Sequence, residues 1–172
     1  MKSNINKATI QRLLNQAKKD GIQKIVVRAI IRRDNKFLLL ERAPSEFLGG
    51  LVVLPGGAVN TGEGLLHALA REVKEETNLA VAEITAYIEA FNCVSSSGKK
   101  TRQFNFFVKT VAGNIKLDLS EHSKYFLLDP SDKEFSELNI SDGTKTVLLK
   151  VKKDKWYNEK MLEQNFWKKY FK

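Results

Sequence analysis

Three glutamates within five residues of one helical segment constrain this 172-residue chain more than any other feature. Glu72, Glu75 and Glu76 lie in the run Arg71-Glu72-Val73-Lys74-Glu75-Glu76-Thr77-Asn78-Leu79, downstream of a Leu54-Pro55-Gly56-Gly57 turn. Thr61 is a good N-cap type, and the periodicity predicts a helix from there to Thr77. At about 100° per residue, Leu66, Leu69, Ala70 and Val73 form the core stripe. The three carboxylates fall in an arc of roughly 100° beside it. Like charges at these spacings repel, and anions near a helix C-terminus oppose its dipole, each by a few tenths of a kcal/mol. A local rule broken with no visible compensation points to a functional site, here one that binds a cation. A solvated glutamate face is the ordinary alternative. Against it stands the fixed register of Gly57, Glu63, Arg71, Glu72, Glu75 and Glu76, which arises by chance in about one such chain per hundred thousand.

The segment Gly57–Leu79 resembles the Nudix box, the signature of hydrolases that cleave a nucleoside diphosphate linked to another group. The preceding Pro-Gly-Gly turn and the layout of strands around the box fit that family too. The resemblance implies an α/β (α+β) fold, an α/β/α sandwich built on a mixed sheet. It also implies that Glu72, Glu75 and Glu76 hold Mg²⁺ or Mn²⁺, with the Gly56 carbonyl as a further ligand. Hard divalent cations prefer oxygen donors, which agrees. Glu75 is the choice for general base, although relatives differ on this point. Arg71 either pairs with Glu75 at i,i+4 or orients another glutamate. Glu63 sits nearly opposite Glu72 on the wheel and roughly 13 Å away, and suits the helix N-terminus. Gly56 and Gly57 permit a tight turn and close phosphate approach. Asn78 replaces the family's glycine at the helix end, a mild change because Asn tolerates the left-handed conformation. Val52 stands where relatives carry an aromatic residue.

Outside the box, Arg42 follows a strand where relatives place a basic substrate contact. Glu121 is a candidate extra metal ligand or base, and otherwise a surface acid. His122 reads as a polar surface residue. Lys99, Lys100 and Arg102 lie on or beside a Gly/Ser loop, either reaching substrate phosphates or forming a solvated hairpin tip. Phe104 and Phe106 should share one strand face with Phe107 on the other, and any of these or Phe91 borders a base pocket or simply packs.

The length suits a single domain spanning 1–172, with a core over about 22–152 and basic helical extensions at 1–21 and 153–172. The net charge of +9 is uneven: residues 1–24 carry +5, residues 145–172 carry +6, and residues 25–144 carry −2. Basic termini suit nucleic acid or anionic nucleotides, or merely a solvated surface. No apolar run approaches a membrane span, and no signal-type stretch opens the chain. One cysteine, Cys93, fits a reducing cytoplasm and reads as a small packed hydrophobe.

Along the chain, residues 5–19 read as an amphipathic helix presenting Ile10, Leu13, Leu14 and Ala17, ended by Gly21. Strands are expected at 25–32, 37–41, 81–90, 101–111 and 123–128. Helices are expected at 141–152, with Ser141 or Asp142 near the start, and at about 156–170, where Leu162, Phe166 and Tyr170 share a face.

The resemblance implies a small nucleotide as substrate. ADP-ribose-cleaving relatives carry a proline shortly after the box, and none occurs here between Leu79 and Pro130. The favoured reaction is hydrolysis of a (d)NTP to monophosphate and pyrophosphate. Nucleotide-sugar hydrolysis is next. An RNA 5′-end pyrophosphohydrolase, or a non-catalytic nucleotide- or RNA-binding module, is kept as a different class. The oligomeric state is open, with a homodimer among the options.

Overall fold

The computed structural model describes residues 1–154, so the expected helix at about 156–170 lies outside the described residues. The elements are β1 (Lys2–Ser3), α1 (Lys7–Lys19), β2 (Lys24–Arg33), β3 (Lys36–Arg42), β4 (Val52–Val53), α2 (Leu65–Thr77), β5 (Val81–Val94), β6 (Lys100–Thr110), β7 (His122–Leu128), α3 (Lys133–Glu137) and α4 (Asp142–Lys153). The strands form a seven-stranded mixed sheet in the order β1-β5-β6-β2-β3-β4, with β7 on β3. Strand β2 runs parallel to β6 over Lys24–Ile31 and meets β3 only at Arg32 and Arg33. The β2–β3 hairpin turns through Asp34 and Asn35, both at positive φ, where Asp and Asn are tolerated.

Side chains alternate across this sheet and meet helices on both faces. Val27, Ala29, Ile31, Leu38, Leu40, Phe104 and Phe106 pack with α1 and α2. Ile30, Phe37, Leu39 and Phe107 pack with Val147, Leu148 and Val151 of α4 and with Phe135 of α3. The observed α/β/α sandwich matches the expected class, and Phe104 and Phe106 lie opposite Phe107 as the two-residue period requires. Asn6 caps α1, accepting from the Thr9 N–H at 2.7 Å, and Ser141 caps α4.

Strand β1, helix α3 and Cys93 depart from the sequence expectations. Strand β1 and helix α3 are too short to produce a period. Cys93 is exposed, because it lies on the outer part of the long β5–β6 hairpin. Among the described residues, no helix is long and apolar enough to cross a membrane.

Helix α4 is tied down by charge as well as packing. Lys150 donates to Glu89 of β5 at 2.9 Å, and Lys152 bonds Asp129 at the end of β7. Burial tends to raise the Asp129 carboxyl, but the Lys152 ammonium and Ser131 donors prevail and hold it down to about 2. A carboxyl held low in the folded state adds stability above its unfolded pKa, near 3.9, and loses it as pH falls through about 2. Asp129→Asn should therefore cost about 1 kcal/mol in urea unfolding at pH 7, with the gap to the parent narrowing from pH 4 toward pH 2.

Candidate active site

The β2–β3 hairpin splays, which leaves the edge of β2 opposite β6 without a strand neighbour over its first half, and the glycine turn takes that place. Ala29 N–H donates to Pro55 O at 2.8 Å, Val27 N–H to Gly57 O at 2.9 Å, and Val59 N–H to Ile25 O at 3.0 Å. Gly56 adopts φ +134°, and a Cβ there would overlap the Val27 carbonyl oxygen. A Cβ on Gly57 would overlap the Glu72 carboxylate, so that carboxylate lies against the turn backbone. One glycine lets the turn ride on the strand, and the other lets the helix acid reach it.

Helix α2 begins at Leu65 with Gly64 at the N-cap, not at Thr61. Residues Asn60–Glu63 form a turn instead. Glu63 N–H donates to Asn60 O at 3.0 Å, Asn60 N–H donates to Glu63 Oε2 at 3.0 Å, and Gly62 sits at φ +79°. The buried stripe is Leu65, Ala68, Leu69 and Val73, while Leu66 and Ala70 are half-buried. Asn78 ends the helix at φ 60°, as expected.

Glu63 is pulled back from the helix start by Arg71, whose Nε and Nη2 donate to its two oxygens at 2.8 and 2.9 Å. Nη1 of the same guanidinium donates to Glu72 at 2.8 Å and to Glu75 at 2.9 Å, and Nη2 also reaches Ala58 O at 3.1 Å. Arg71 thus serves both roles that its spacing offered, ion pair and orienter. Its bonds hold the Glu63 carboxyl at about 2. The Glu72 carboxyl is pushed up, first by burial and then, against Arg71, by the charges of Glu76 and Glu75. Side-chain exposure grades along the triad, from 5% for Glu76 through 13% for Glu72 to 56% for Glu75.

The deepest acid, Glu76, is held from two directions. Gly56 N–H donates to its Oε2 at 2.6 Å, and His122 Nε2 lies 3.0 Å from its Oε1. Backbone bonds from Lys116 and Asp118 to the last carbonyls of α2 bring the 116–122 segment alongside. Glu76, Glu121 and His122 then offer ligand atoms within 4.8 Å of one another. Partial burial, followed by the Glu76 charge, raises the Glu121 carboxyl. His122 is buried, contrary to its surface reading, and its Nδ1 has no partner among the described residues. Its only sequence signal is adjacency to Glu121.

Arg28 also went unnoticed in the sequence. It points away from the Val27 and Ala29 face, and its Nη1 donates to Leu54 O at 2.9 Å and to Gly56 O. Burial depresses its pKa, with Glu76 opposing. A lone arginine inside the run Ile25-Val26-Val27-Arg28-Ala29-Ile30-Ile31 was the available signal. Arg42 holds its own loop, donating to Phe47 O at 2.7 Å and to Glu46 at 3.1 Å. Lys100 and Arg102 do not reach the glutamates. They bind the C-terminal end of α1, through Asp20 O at 2.6 Å and Asp20 Oδ2 at 2.7 Å. Lys99 lines a separate cavity of about 510 Å³ with Asn60, Thr61 and Glu63.

Carboxylate oxygens and a glycine carbonyl on one turn–helix unit are hard donors of the kind that Mg²⁺ and Mn²⁺ accept. A family model of the NUDIX domain matches residues 23–147, and the chain belongs to the Nudix family. It is 47% identical over 110 residues to an ADP-ribose pyrophosphatase of Methanocaldococcus jannaschii, a match covering 61% of this chain and 62% of that protein. It is 28% identical over 137 residues to the nucleoside triphosphatase NudI of Escherichia coli O139:H28, covering 74% of this chain and 96% of that one. A MutT NUDIX hydrolase from Burkholderia pseudomallei shares the fold at a TM-score of 0.65 and 21% identity, over 74% of this chain and 97% of that one.

Gly56→Ala should lower stability by about 3 kcal/mol or prevent folding, because neither the φ nor the space admits a methyl group. Urea unfolding of the variant beside Gly62→Ala, whose added Cβ meets open space, checks this.

Proposed function

We propose that this protein is a divalent-cation-dependent hydrolase of a nucleoside diphosphate linked to another group, acting at the Glu72–Glu75–Glu76 face of α2. The observation that carries this reading is the buried Glu76 carboxylate, bonded to Gly56 N–H at 2.6 Å with Glu121 and His122 beside it. A carboxylate buried to this degree is costly unless it serves a charge partner. Glu72, Glu75, Glu76 and the Gly56 carbonyl would hold the cation, with Glu121 as a further ligand.

The cation, when bound, offsets charge on the pyrophosphate and makes a bound water more acidic. The chain's own groups do the rest. Arg71 fixes the rotamers of Glu72 and Glu75, so the acids keep their positions in the absence of substrate. Glu75, the most exposed of the three, is the one open to accept a proton from an attacking water. That water forms the new P–O bond while the bridging P–O bond breaks toward the departing phosphate. Gly57, whose backbone lies beside Glu72, lets the phosphates approach the turn closely. Arg42, at the end of β3, is the proposed substrate contact. Lys100 and Arg102 are withdrawn from that role, given their bonds to α1.

Two substrate classes have support. ADP-ribose, a nucleoside diphosphate sugar, is favoured by the 47% identity to a protein of that name, which outweighs the missing proline after the box. A nucleoside triphosphate is favoured by the match to NudI over nearly its whole length. The matched part spans less than two thirds of the M. jannaschii protein, and we place ADP-ribose first for the 47% shared residues.

Turnover of a panel with Mg²⁺ tests this: ADP-ribose and UDP-sugars, (d)NTPs, and 5′-triphosphorylated RNA. The expected result is cleavage of ADP-ribose above the (d)NTPs. No cleavage of any small pyrophosphate compound would refute the enzyme reading. Glu76→Gln should keep its fold and lose at least about 10²–10³ in kcat, and unchanged activity would remove Glu76 from the ligand set.

A further inference from the structure

Arg28 places a guanidinium where the proposed ligand set needs a cation. Its Nη1 donates to the Gly56 carbonyl, the backbone oxygen assigned to the metal, and to Leu54 O at 2.9 Å. The charges of Glu76 and Glu72, two of the three helix acids, favour the Arg28 cation, while that of Arg42 opposes it. Drawing a guanidinium out of water is unfavourable, and here a half-buried one lies on a strand whose neighbours are aliphatic. Two carbonyls that accept from it, and the field of two carboxylates, offset that placement. The remaining acid cluster is served differently, since Arg71 neutralises Glu63, Glu72 and Glu75 from the outer side. Among the described residues, no arginine is bonded to Glu76. Its partners are an amide N–H and His122, so the inner part of the cluster relies on Arg28 for positive charge.

We infer that Arg28 is a built-in stand-in for the divalent cation: it holds the Pro55-Gly56 turn and the inner glutamates in the cation-free protein, and it gives up the Gly56 carbonyl when the cation binds. This inference rests on the proposed metal site. Two cations on one carbonyl oxygen repel, so the guanidinium and the metal compete for the turn. The apparent metal affinity is then reduced by the fraction of molecules in which Arg28 occupies the carbonyl. In exchange, the acid cluster stays ordered without metal.

Mn²⁺ binding to the full chain, measured by the loss of the free-Mn²⁺ paramagnetic signal, tests this in Arg28→Met beside the parent. The expected result is Mn²⁺ binding about tenfold tighter in Arg28→Met, with a lower Tm in the absence of metal. Equal or weaker binding by a variant with a native circular dichroism spectrum overturns the inference and leaves the metal site standing. No Mn²⁺ binding by either protein overturns both. A measurement on the unaltered protein covers the case in which the variant does not fold. The Arg28 Nε–H resonance should shift on Mg²⁺ saturation, while that of Arg102, at the far end of α1, stays in place. An unmoved Arg28 signal at saturating Mg²⁺, with Mg²⁺ binding verified by competition against Mn²⁺, overturns the inference.

Discussion

The hydrogen bond from Gly56 N–H to the Glu76 carboxylate joins the two halves on which the site depends. On one side is a turn that has taken a strand's place along β2. On the other is a helix whose apolar stripe is buried on the same sheet face. A buried carboxylate is tolerated only with strong, well-directed donors, and an amide N–H at 2.6 Å is one of them. The bond thus fixes the distance between the glycine turn and the helix acids. The Gly56 conformation, the Glu72 contact with Gly57 and the position of His122 lie around it.

The charge layout around that bond is layered. Arg71 manages the outer acids and Arg28 faces the inner ones, so a cluster of glutamates that would repel in isolation is stable within a folded chain. The same arrangement explains why the acids differ so much in exposure along one helix face. Glu75 keeps water contact and Glu76 does not. A division of roles between an accessible base and a buried ligand is consistent with this gradient.

Much of the structure was readable from local pattern. The helix from 7 to 19, the strands at 24–33 and 36–42, the alternating phenylalanines of β6 and the left-handed Asn78 all follow from period, β-branching and cap chemistry. Local pattern failed where a distant group overrode it. Thr61 has the chemistry of a cap, yet Arg71, ten residues on, draws Glu63 out of helical register and the cap falls three residues later, at Gly64. His122 carries a polar label but is buried, because Glu76 is there to receive it. Lys100 and Arg102 read as phosphate contacts or as a solvated hairpin tip, and are held instead by Asp20.

The spacing of Gly57, Glu63, Arg71, Glu72, Glu75 and Glu76 determined the family and the acid face by itself, since those positions need only helical geometry to be brought together. Tertiary structure alone decided which residues from elsewhere complete the site. Arg28 comes from β2, and Glu121 and His122 come from the approach to β7. Their arrival depends on sheet order and on how the 116–122 segment ends α2, which are properties of long-range pairing that no local spacing encodes.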